Sequence, residues 1–112
     1  MSASRYPKRE RLKSRADIER IFERNRTYAD DAYRVLAAAN GRDFSRMAVV
    51  VRRTLGNAVE RNREKRLVRE IFRKARASIV KGYDFVIIIR RRVAREYKDR
   101  SDSLSALLRR FT

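Results

Sequence analysis

The chain has 112 residues and a formal net charge of +17 at pH 7, from 31 Lys and Arg residues against 14 Asp and Glu residues. It contains no Cys and no His, which excludes disulfide scaffolds, thiolate zinc sites, Cys nucleophiles and His bases. No apolar run approaches the ~18 residues that span a bilayer, so we expect no membrane association and a cytoplasmic location. We expect one domain over residues 1–112, whose excess positive charge attracts nucleic acid.

The N-terminal part predicts a basic arm followed by a helix. The arm covers residues 1–13 and carries the only proline of the chain. Ser14 is a typical N-cap, and the helix that it begins should end near Asn25. One face of this helix is apolar and comprises Ile18, Ile21 and Phe22.

Two strands are predicted next. Residues alternate in polarity toward the end of Tyr28–Ala39, and Asn40-Gly41 is a strong hairpin signal because both residues tolerate a positive φ. The second strand covers Phe44–Arg52, and its run Val49–Val51 is apolar on both faces, which indicates a covered central strand. One further strand fits between residues 26 and 52.

A long helix follows over Ala58–Ala77, with Asn57 as N-cap, Glu60 as its capping-box partner and Gly82 as a stop signal. Its apolar stripe indicates packing on a sheet, and its members are Leu67, Val68, Ile71, Phe72 and Ala75.

The last part of the chain predicts a strand and a final helix. Asp84–Ile89 is the most hydrophobic window and is typical of a buried strand, whereas residues 93–102 look irregular. Asp102 or Ser103 then caps a Leu-rich helix. The order α-β-β-(β)-α-β-α predicts an α+β fold, a two-layer α/β sandwich.

The second helix carries the strongest functional signal. Eight basic residues lie on it against three acidic ones, and most of the eight are Arg, which binds phosphate in bidentate fashion and stacks on bases. The eight are Arg61, Arg63, Lys65, Arg66, Arg69, Arg73, Lys74 and Arg76. The helical period places Lys65, Arg69, Arg73 and Arg76 opposite much of the apolar stripe. The free amides at Gly56-Asn57, with Arg52 and Arg53 nearby, add an expected anion site.

Two other interpretations of the charge pattern compete with this one. A small ribosomal protein that binds structured RNA has the same composition, although it leaves Asn62 between two arginines unexplained. A metal-dependent nuclease needs several converging carboxylates, and the only adjacent acidic pair is Asp30-Asp31. Composition therefore favours a nucleic-acid-binding protein without an active site of its own.

The segment Leu55–Arg73, LGNAVERNREKRLVREIFR, resembles the signature of the bacterial ribonuclease P protein subunit. That signature is Gly-Asn-Ala-Val, then Arg-Asn-Arg, one variable residue and Lys-Arg, with a further Arg downstream. The early KRERLK arm, the first amphipathic helix, the GYDFVII strand and the Leu-rich C-terminal helix also agree with the family. The resemblance covers essentially the whole chain.

The resemblance implies an accessory protein in a ribonucleoprotein enzyme. In the family, an RNA subunit uses Mg²⁺ to hydrolyse precursor tRNA at the mature 5′ end. The resemblance implies no catalytic residue in the protein, no cofactor or metal bound by it, and no protein partner. Its implied partners are ribonuclease P RNA and precursor tRNA. The family fold further implies a left-handed β-α-β crossover, against the usual rule.

The resemblance also implies two sets of site residues. The residues expected to contact the catalytic RNA are Asn57, Arg61, Asn62, Arg63, Lys65, Arg66 and Arg69. The residues expected to line a cleft for the single-stranded 5′ leader are Ile18, Phe22, Tyr33, Leu36, Val49, Val51 and Arg53. Asn57 and Asn62 could cap the helix or bind RNA. For the apolar cleft residues, packing in the core is an equally weighted alternative.

This chain departs from the family pattern at several positions. Ile18 and Leu36 stand where the family often has aromatic residues, so stacking on leader bases is expected to fall to Phe22 and Tyr33. Arg90-Arg91-Arg92 replaces a less basic stretch and could add a backbone contact.

Overall fold

The computed structural model describes residues 11–90 and 97–111. This part of the chain contains three α-helices and a four-stranded mixed sheet, which confirms the predicted α+β class. The elements are α1 (Arg15–Glu23), β1 (Arg26–Ala29), β2 (Tyr33–Ala39), β3 (Arg46–Val51), α2 (Ala58–Ala75), β4 (Tyr83–Ile89) and α3 (Tyr97–Arg109). Short 3₁₀ turns at Arg53–Leu55 and Arg76–Ser78 flank α2.

The additional strand expected between residues 26 and 52 is confirmed. A turn divides the predicted strand Tyr28–Ala39 into β1 and β2, which pair antiparallel. The Asp30 carboxylate stabilises this turn by accepting hydrogen bonds from the amides of Ala32 (2.9 Å) and Tyr33 (2.8 Å).

The hairpin predicted at Asn40-Gly41 is wrong, because β2 and β3 are not neighbours in the sheet. The strand order is β1-β2-β4-β3, so β4 lies between them, antiparallel to β2 and parallel to β3. Parallel neighbours need a long crossover, which α2 supplies between β3 and β4. The left-handed sense of this β3-α2-β4 crossover stays a prediction. β3 is an outer strand and Val50 is 37% exposed, so the prediction of a covered central strand at Val49–Val51 is also wrong.

Side chains of the sheet alternate between two faces, and both faces carry helices. The first face packs against α2 and α3 in the main core, which buries Tyr33, Phe72 and Phe85. The second face packs against α1 through Ile21, which lies with Leu36 in a smaller cluster. α1 therefore adds a further layer over part of the second face.

Most helix boundaries follow the sequence signals, with two exceptions. Ser14 caps α1 as predicted, since its hydroxyl accepts a hydrogen bond from the Asp17 amide. α3, in contrast, begins at Tyr97, well before its predicted caps. Its polar first turns are held by a tertiary contact, in which Arg100 donates to both carboxylate oxygens of Glu64 on α2, at 2.7 and 2.8 Å. Gly82 does not end α2 but turns the chain into β4 with a φ of 83°.

The end of the predicted basic arm is part of the fold. Leu12 is buried in the cluster under α1, and its amide donates to the Met47 carbonyl at 2.9 Å. Arg11 forms an isolated bridge with the same residue along the outer edge of β3. Residues 1–10 of the arm, and Arg91 and Arg92, lie outside the described residues.

A fully buried carboxylate, that of Asp84 on β4, joins several elements at one end of the sheet. It accepts two hydrogen bonds from the Arg46 guanidinium, at 2.6 and 2.8 Å, and one from the side-chain Nδ2 of Asn40 at 2.9 Å. Arg46 also contacts Asp17 at 3.3 Å, and Arg20 lies 3.5 Å from Asp84, so α1 is included in the network. The hydrogen bond to Asp84 raises the pKa of Arg46, which keeps its guanidinium charged.

We expect Asp84→Asn to lower the free energy of unfolding by about 3–5 kcal/mol, because it removes one charge of a buried pair and leaves Arg46 partly uncompensated. Urea unfolding followed by circular dichroism measures this change. Asp43→Asn is the matched control, since Asp43 is exposed and the same substitution there should cost less than about 0.5 kcal/mol. Equal effects of the two substitutions would contradict the structural role of Asp84.

Burial raises the pKa of Tyr33 to about 12, which makes the stability of the fold depend on pH in the alkaline range. An unfolded tyrosine ionises at a pKa of about 10, so folding favours the neutral phenol. The contribution of this pKa shift to the free energy of unfolding is fully present below pH ~10. It is lost as the pH rises toward ~12, where the free energy of unfolding has fallen by about 3 kcal/mol. Urea midpoints compared between pH 9 and pH 12 should fall more steeply for the native chain than for Tyr33→Phe. Parallel pH profiles for the two proteins would show that Tyr33 is not the group responsible.

Candidate nucleic-acid interface

The first turn of α2 is closed by its own side chains. Asn57 accepts a hydrogen bond from the Glu60 amide at 2.9 Å, and Glu60 accepts one from the Asn57 amide at 3.0 Å. This capping box satisfies amides that were expected to form an anion site at Gly56-Asn57, and it also places a carboxylate there. The capping box engages the Asn57 and Glu60 amides, so an anion site at this helix end stays a prediction, and the cap is the role of Asn57 that the structure shows.

The outward side of α2 presents arginines around an exposed apolar residue. Its buried side comprises Glu64, Val68, Ile71, Phe72 and Ala75. Asn62, Arg63 and Arg66 are exposed on the opposite side, around Val59, which is 67% exposed. Among the described residues no carboxylate pairs with Arg63 or Arg66. We call Val59, Asn62, Arg63 and Arg66 the α2 face.

The other residues expected to contact RNA flank this face. Lys65 and Arg69 are partly buried beside it. Arg61 lies toward the sheet and donates to the Gly56 carbonyl at 2.8 Å, so part of its guanidinium supports the turn before α2. Arg73, which the helical period placed with Lys65, binds Glu70 at 2.6 Å, and this contact lowers the pKa of Glu70. The outward cations are therefore nearer the start of α2 than the periodicity predicted.

A cleft of about 570 Å³ lies on the second face of the sheet, beside the C-terminal end of α1. Its lining residues are Phe22, Asn25, Thr27, Arg34, Leu36, Arg52, Ile88 and Arg90. Phe22 is 51% exposed at its wall, an unusual position for a Phe side chain. Arg34 and Arg52 are exposed and have no carboxylate partner among the described residues. A cleft with an exposed aromatic ring and exposed guanidinium groups can bind a single nucleic-acid strand.

The structure divides the seven residues that were expected to line one cleft. Phe22 and Leu36 line it, and Ile18 packs in the cluster beneath α1 next to it. Tyr33, Val49 and Val51 belong to the first face, under α2 and α3, and Tyr33 is only 2% exposed. Their assignment to this cleft is wrong, because residues of opposite parity in a strand point to opposite faces. Arg53 is exposed in the 3₁₀ turn that follows the cleft residue Arg52.

Sequence reasoning missed most of the polar cleft residues. Arg34 and Ile88 are cross-strand partners and share the face of Leu36, so strand parity starting from Leu36 would have identified Arg34. Arg90 depends on tertiary structure, since its guanidinium is held at the rim by the Asp30 carbonyl at 2.6 Å.

Neither a metal site nor a membrane span is evident in the part of the chain that the structure describes. No three residues among its His, Cys, Asp and Glu side chains gather in a way that could hold a metal ion. No helix there has the length and apolar character that crossing a bilayer requires.

Comparisons with known proteins agree on one family. The family model Ribonuclease P matches residues 6–112. The Ribonuclease P protein component of Thermotoga petrophila is 42% identical over 93 residues, which cover 83% of this chain and 80% of that protein. The corresponding protein of Petrotoga mobilis is 36% identical over 98 residues, 88% of this chain and 83% of that one.

Solved structures show the same likeness in three dimensions. The ribonuclease P protein from Thermotoga maritima superposes with a TM-score of 0.84 at 36% identity, and the match covers 92% of this chain and 98% of that one. The Staphylococcus aureus protein superposes with a TM-score of 0.76 at 31% identity, over 88% of this chain and 92% of that one. With its signature on α2 and its fold in agreement, the chain belongs to the ribonuclease P protein component family.

Proposed function

We propose that this chain binds the catalytic RNA of ribonuclease P through the α2 face and holds the 5′ leader of precursor tRNA in the cleft beside α1. The RNA subunit then hydrolyses the phosphodiester at the mature 5′ end with Mg²⁺, and the protein supplies binding energy and charge. The observation that carries the proposal is the placement of two cationic surfaces on opposite sides of one sheet. α2 packs on the first face, and the cleft opens on the second.

Electrostatics explains why such a protein would assist an RNA enzyme. The leader and the catalytic RNA are both polyanions, so bringing them together costs Coulombic free energy. A protein of net charge +17 placed between them reduces this repulsion and releases counterions from both strands. Mg²⁺ can provide the same screening, so the benefit of the protein should be largest when Mg²⁺ is scarce.

The described side chains fit a binding role better than a catalytic one. Asp84 and Glu64, the two buried carboxylates, are engaged by Arg46 and Arg100. Asp30 stabilises a turn. No group of three carboxylates among the described residues could hold a metal ion, so we assign the Mg²⁺ of the reaction to the RNA.

The alternative of a ribosomal RNA-binding protein has less support. Such a protein has no need for a cleft with an exposed Phe. Moreover, the large apolar residues that are exposed within the described part, Phe22, Val50 and Val59, all lie on the α2 face or the second face of the sheet. Exposed apolar groups at these places are expected if bases or riboses cover them.

The direct test is cleavage of precursor tRNA at low Mg²⁺ with the protein alone, with ribonuclease P RNA alone, and with both. We expect efficient cleavage at the mature 5′ end only in the mixture. A mixture no better than RNA alone would overturn the proposal. Cleavage by RNA-free protein that disappears in Asp30→Ala or Asp31→Ala would instead support a nuclease.

Removing the two exposed arginines of the α2 face should change the salt dependence of RNA binding. In the variant Arg63→Ala with Arg66→Ala, we expect the slope of log affinity for ribonuclease P RNA against log salt to fall by about 2, because two RNA phosphates are no longer neutralised. The matched control is Arg42→Ala with Lys81→Ala, which removes the same charge from exposed loops beside the far end of α2. Equal slopes for the two variants would show that net charge, not the α2 face, determines binding.

The exposed ring of Phe22 should act only on substrates that carry a leader. We expect Phe22→Ala in the protein–RNA complex to weaken binding of precursor tRNA by about 1–3 kcal/mol, because a base loses its stacking partner. Mature tRNA, which lacks the leader, should bind equally to both complexes. Phe22→Leu keeps the apolar bulk without the aromatic ring, so full affinity in that variant would argue against stacking.

A further inference from the structure

A second concavity of about 560 Å³ lies next to the cleft, at the outer edge of β2. Its floor is the run Ala37–Ala39, and its walls comprise Arg20, Arg24, Asn25, Arg26 and Tyr83. We call it the edge groove.

The edge groove exists because β1 is short. The pairing of β1 with β2 ends at Arg26 opposite Ala37, so Ala38 and Ala39 have no partner strand on that side within the described part of the chain. Their methyl groups do not fill the space that a longer strand would occupy. The floor of the groove therefore combines small side chains with the edge of a strand, whose backbone groups can form hydrogen bonds with a ligand.

The walls of the edge groove are cationic and largely held in place. Arg24 is exposed and pairs with no carboxylate among residues 11–90 and 97–111. Arg26 lies over the Tyr83 ring, 5.6 Å from its centroid, and donates to the Tyr83 hydroxyl at 3.1 Å. The Arg20 side chain is half exposed and contacts two carboxylates, those of Asp17 and Asp84, each at 3.5 Å. Guanidinium groups arranged in this way suit phosphate oxygens, which they bind in bidentate fashion.

The edge groove and the cleft meet at one residue. Asn25, between α1 and β1, lines both concavities. The Asn25 side-chain nitrogen Nδ2 donates to the Phe22 carbonyl at 3.1 Å, and its Oδ1 accepts a hydrogen bond from the Thr27 hydroxyl, so local hydrogen bonds fix the junction. A strand that leaves the cleft past Asn25 enters the groove directly.

We propose that the 5′ leader does not end its path in the cleft but continues past Asn25 into the edge groove, where Arg24 and Arg26 contact its phosphates. This inference rests on the proposed function, since it extends the same leader site. Continuity with the cleft through Asn25 favours the leader over the catalytic RNA as occupant, because no residue of the α2 face lines the groove. The protein then contacts a longer leader segment than the cleft alone can hold.

The test is a leader-length series with the assembled protein–RNA complex. Precursor tRNAs are prepared with leaders that increase by one nucleotide, and their dissociation constants are measured for the native protein, Arg24→Ala and Arg15→Ala. Arg15 is the matched control, since it is an exposed arginine at the other end of α1 that pairs only with Glu19 among the described residues. We expect Arg24→Ala to weaken binding of long leaders by about three- to tenfold and to leave short leaders unchanged. Arg15→Ala should bind all lengths like the native protein.

Each of the other outcomes would contradict the edge-groove proposal, and each would point to a different explanation. If Phe22→Ala weakens binding but Arg24→Ala affects no length, the edge groove is not used and the proposed function stands. If Arg24→Ala weakens all lengths equally, the effect is general electrostatics. If it weakens binding of ribonuclease P RNA alone, the groove belongs to that partner. If neither Phe22→Ala nor Arg24→Ala has an effect, the leader site itself is refuted.

Discussion

The carboxylate of Asp84 is buried at one end of the inner strand β4, and the groups that compensate it come from three other parts of the chain. Arg46 on β3, Asn40 after β2 and Arg20 on α1 all contact it. A buried charge is costly without such partners, so the elements that supply them are constrained to meet at this point. α1 thereby takes its position over the second face of the sheet. The wall of the cleft and the edge groove both depend on that position, because Phe22 and Arg24 are carried by the last turn of α1 and the residue after it.

A second ion pair, on the other side of the sheet, also joins elements that are far apart in sequence. Glu64 and Arg100 join α2 to α3 across the main core, and both side chains are nearly buried. This pair extends α3 toward its N-terminus through turns whose sequence is polar. It also uses one of the few acidic residues of α2 internally, so the outward surface of the helix keeps a larger excess of positive charge. Stability and the proposed RNA contact are thus served by different faces of one helix.

The alternation of side chains along a strand explains why one sheet can present two separate surfaces. In β2, Tyr33 and Val35 point into the core under α2, whereas Arg34 and Leu36 face the cleft. A set of cleft residues chosen without regard to parity therefore mixes both faces, as it did for Tyr33, Val49 and Val51. With Tyr33 in the core and non-aromatic residues at Ile18 and Leu36, Phe22 is the aromatic ring that lines the described cleft. In the proposed leader site, the flanking arginines then carry a larger share of the binding.

Features that depend on near neighbours in the chain could be predicted from the amino-acid sequence. Local backbone physics suffices to predict the caps at Ser14 and Asn57, the body of α2 and the buried strand at Asp84–Ile89. The family signature is also local in sequence, but it was identified by resemblance to known proteins. The strand order could not be predicted in this way, since the Asn40-Gly41 turn is compatible with a hairpin until β4 inserts between β2 and β3. The early start of α3, the face of each cleft residue and the open edge of β2 likewise emerged only from the folded chain. Each of these features depends on contacts between residues far apart in sequence, and the periodicity within a single segment cannot predict such contacts.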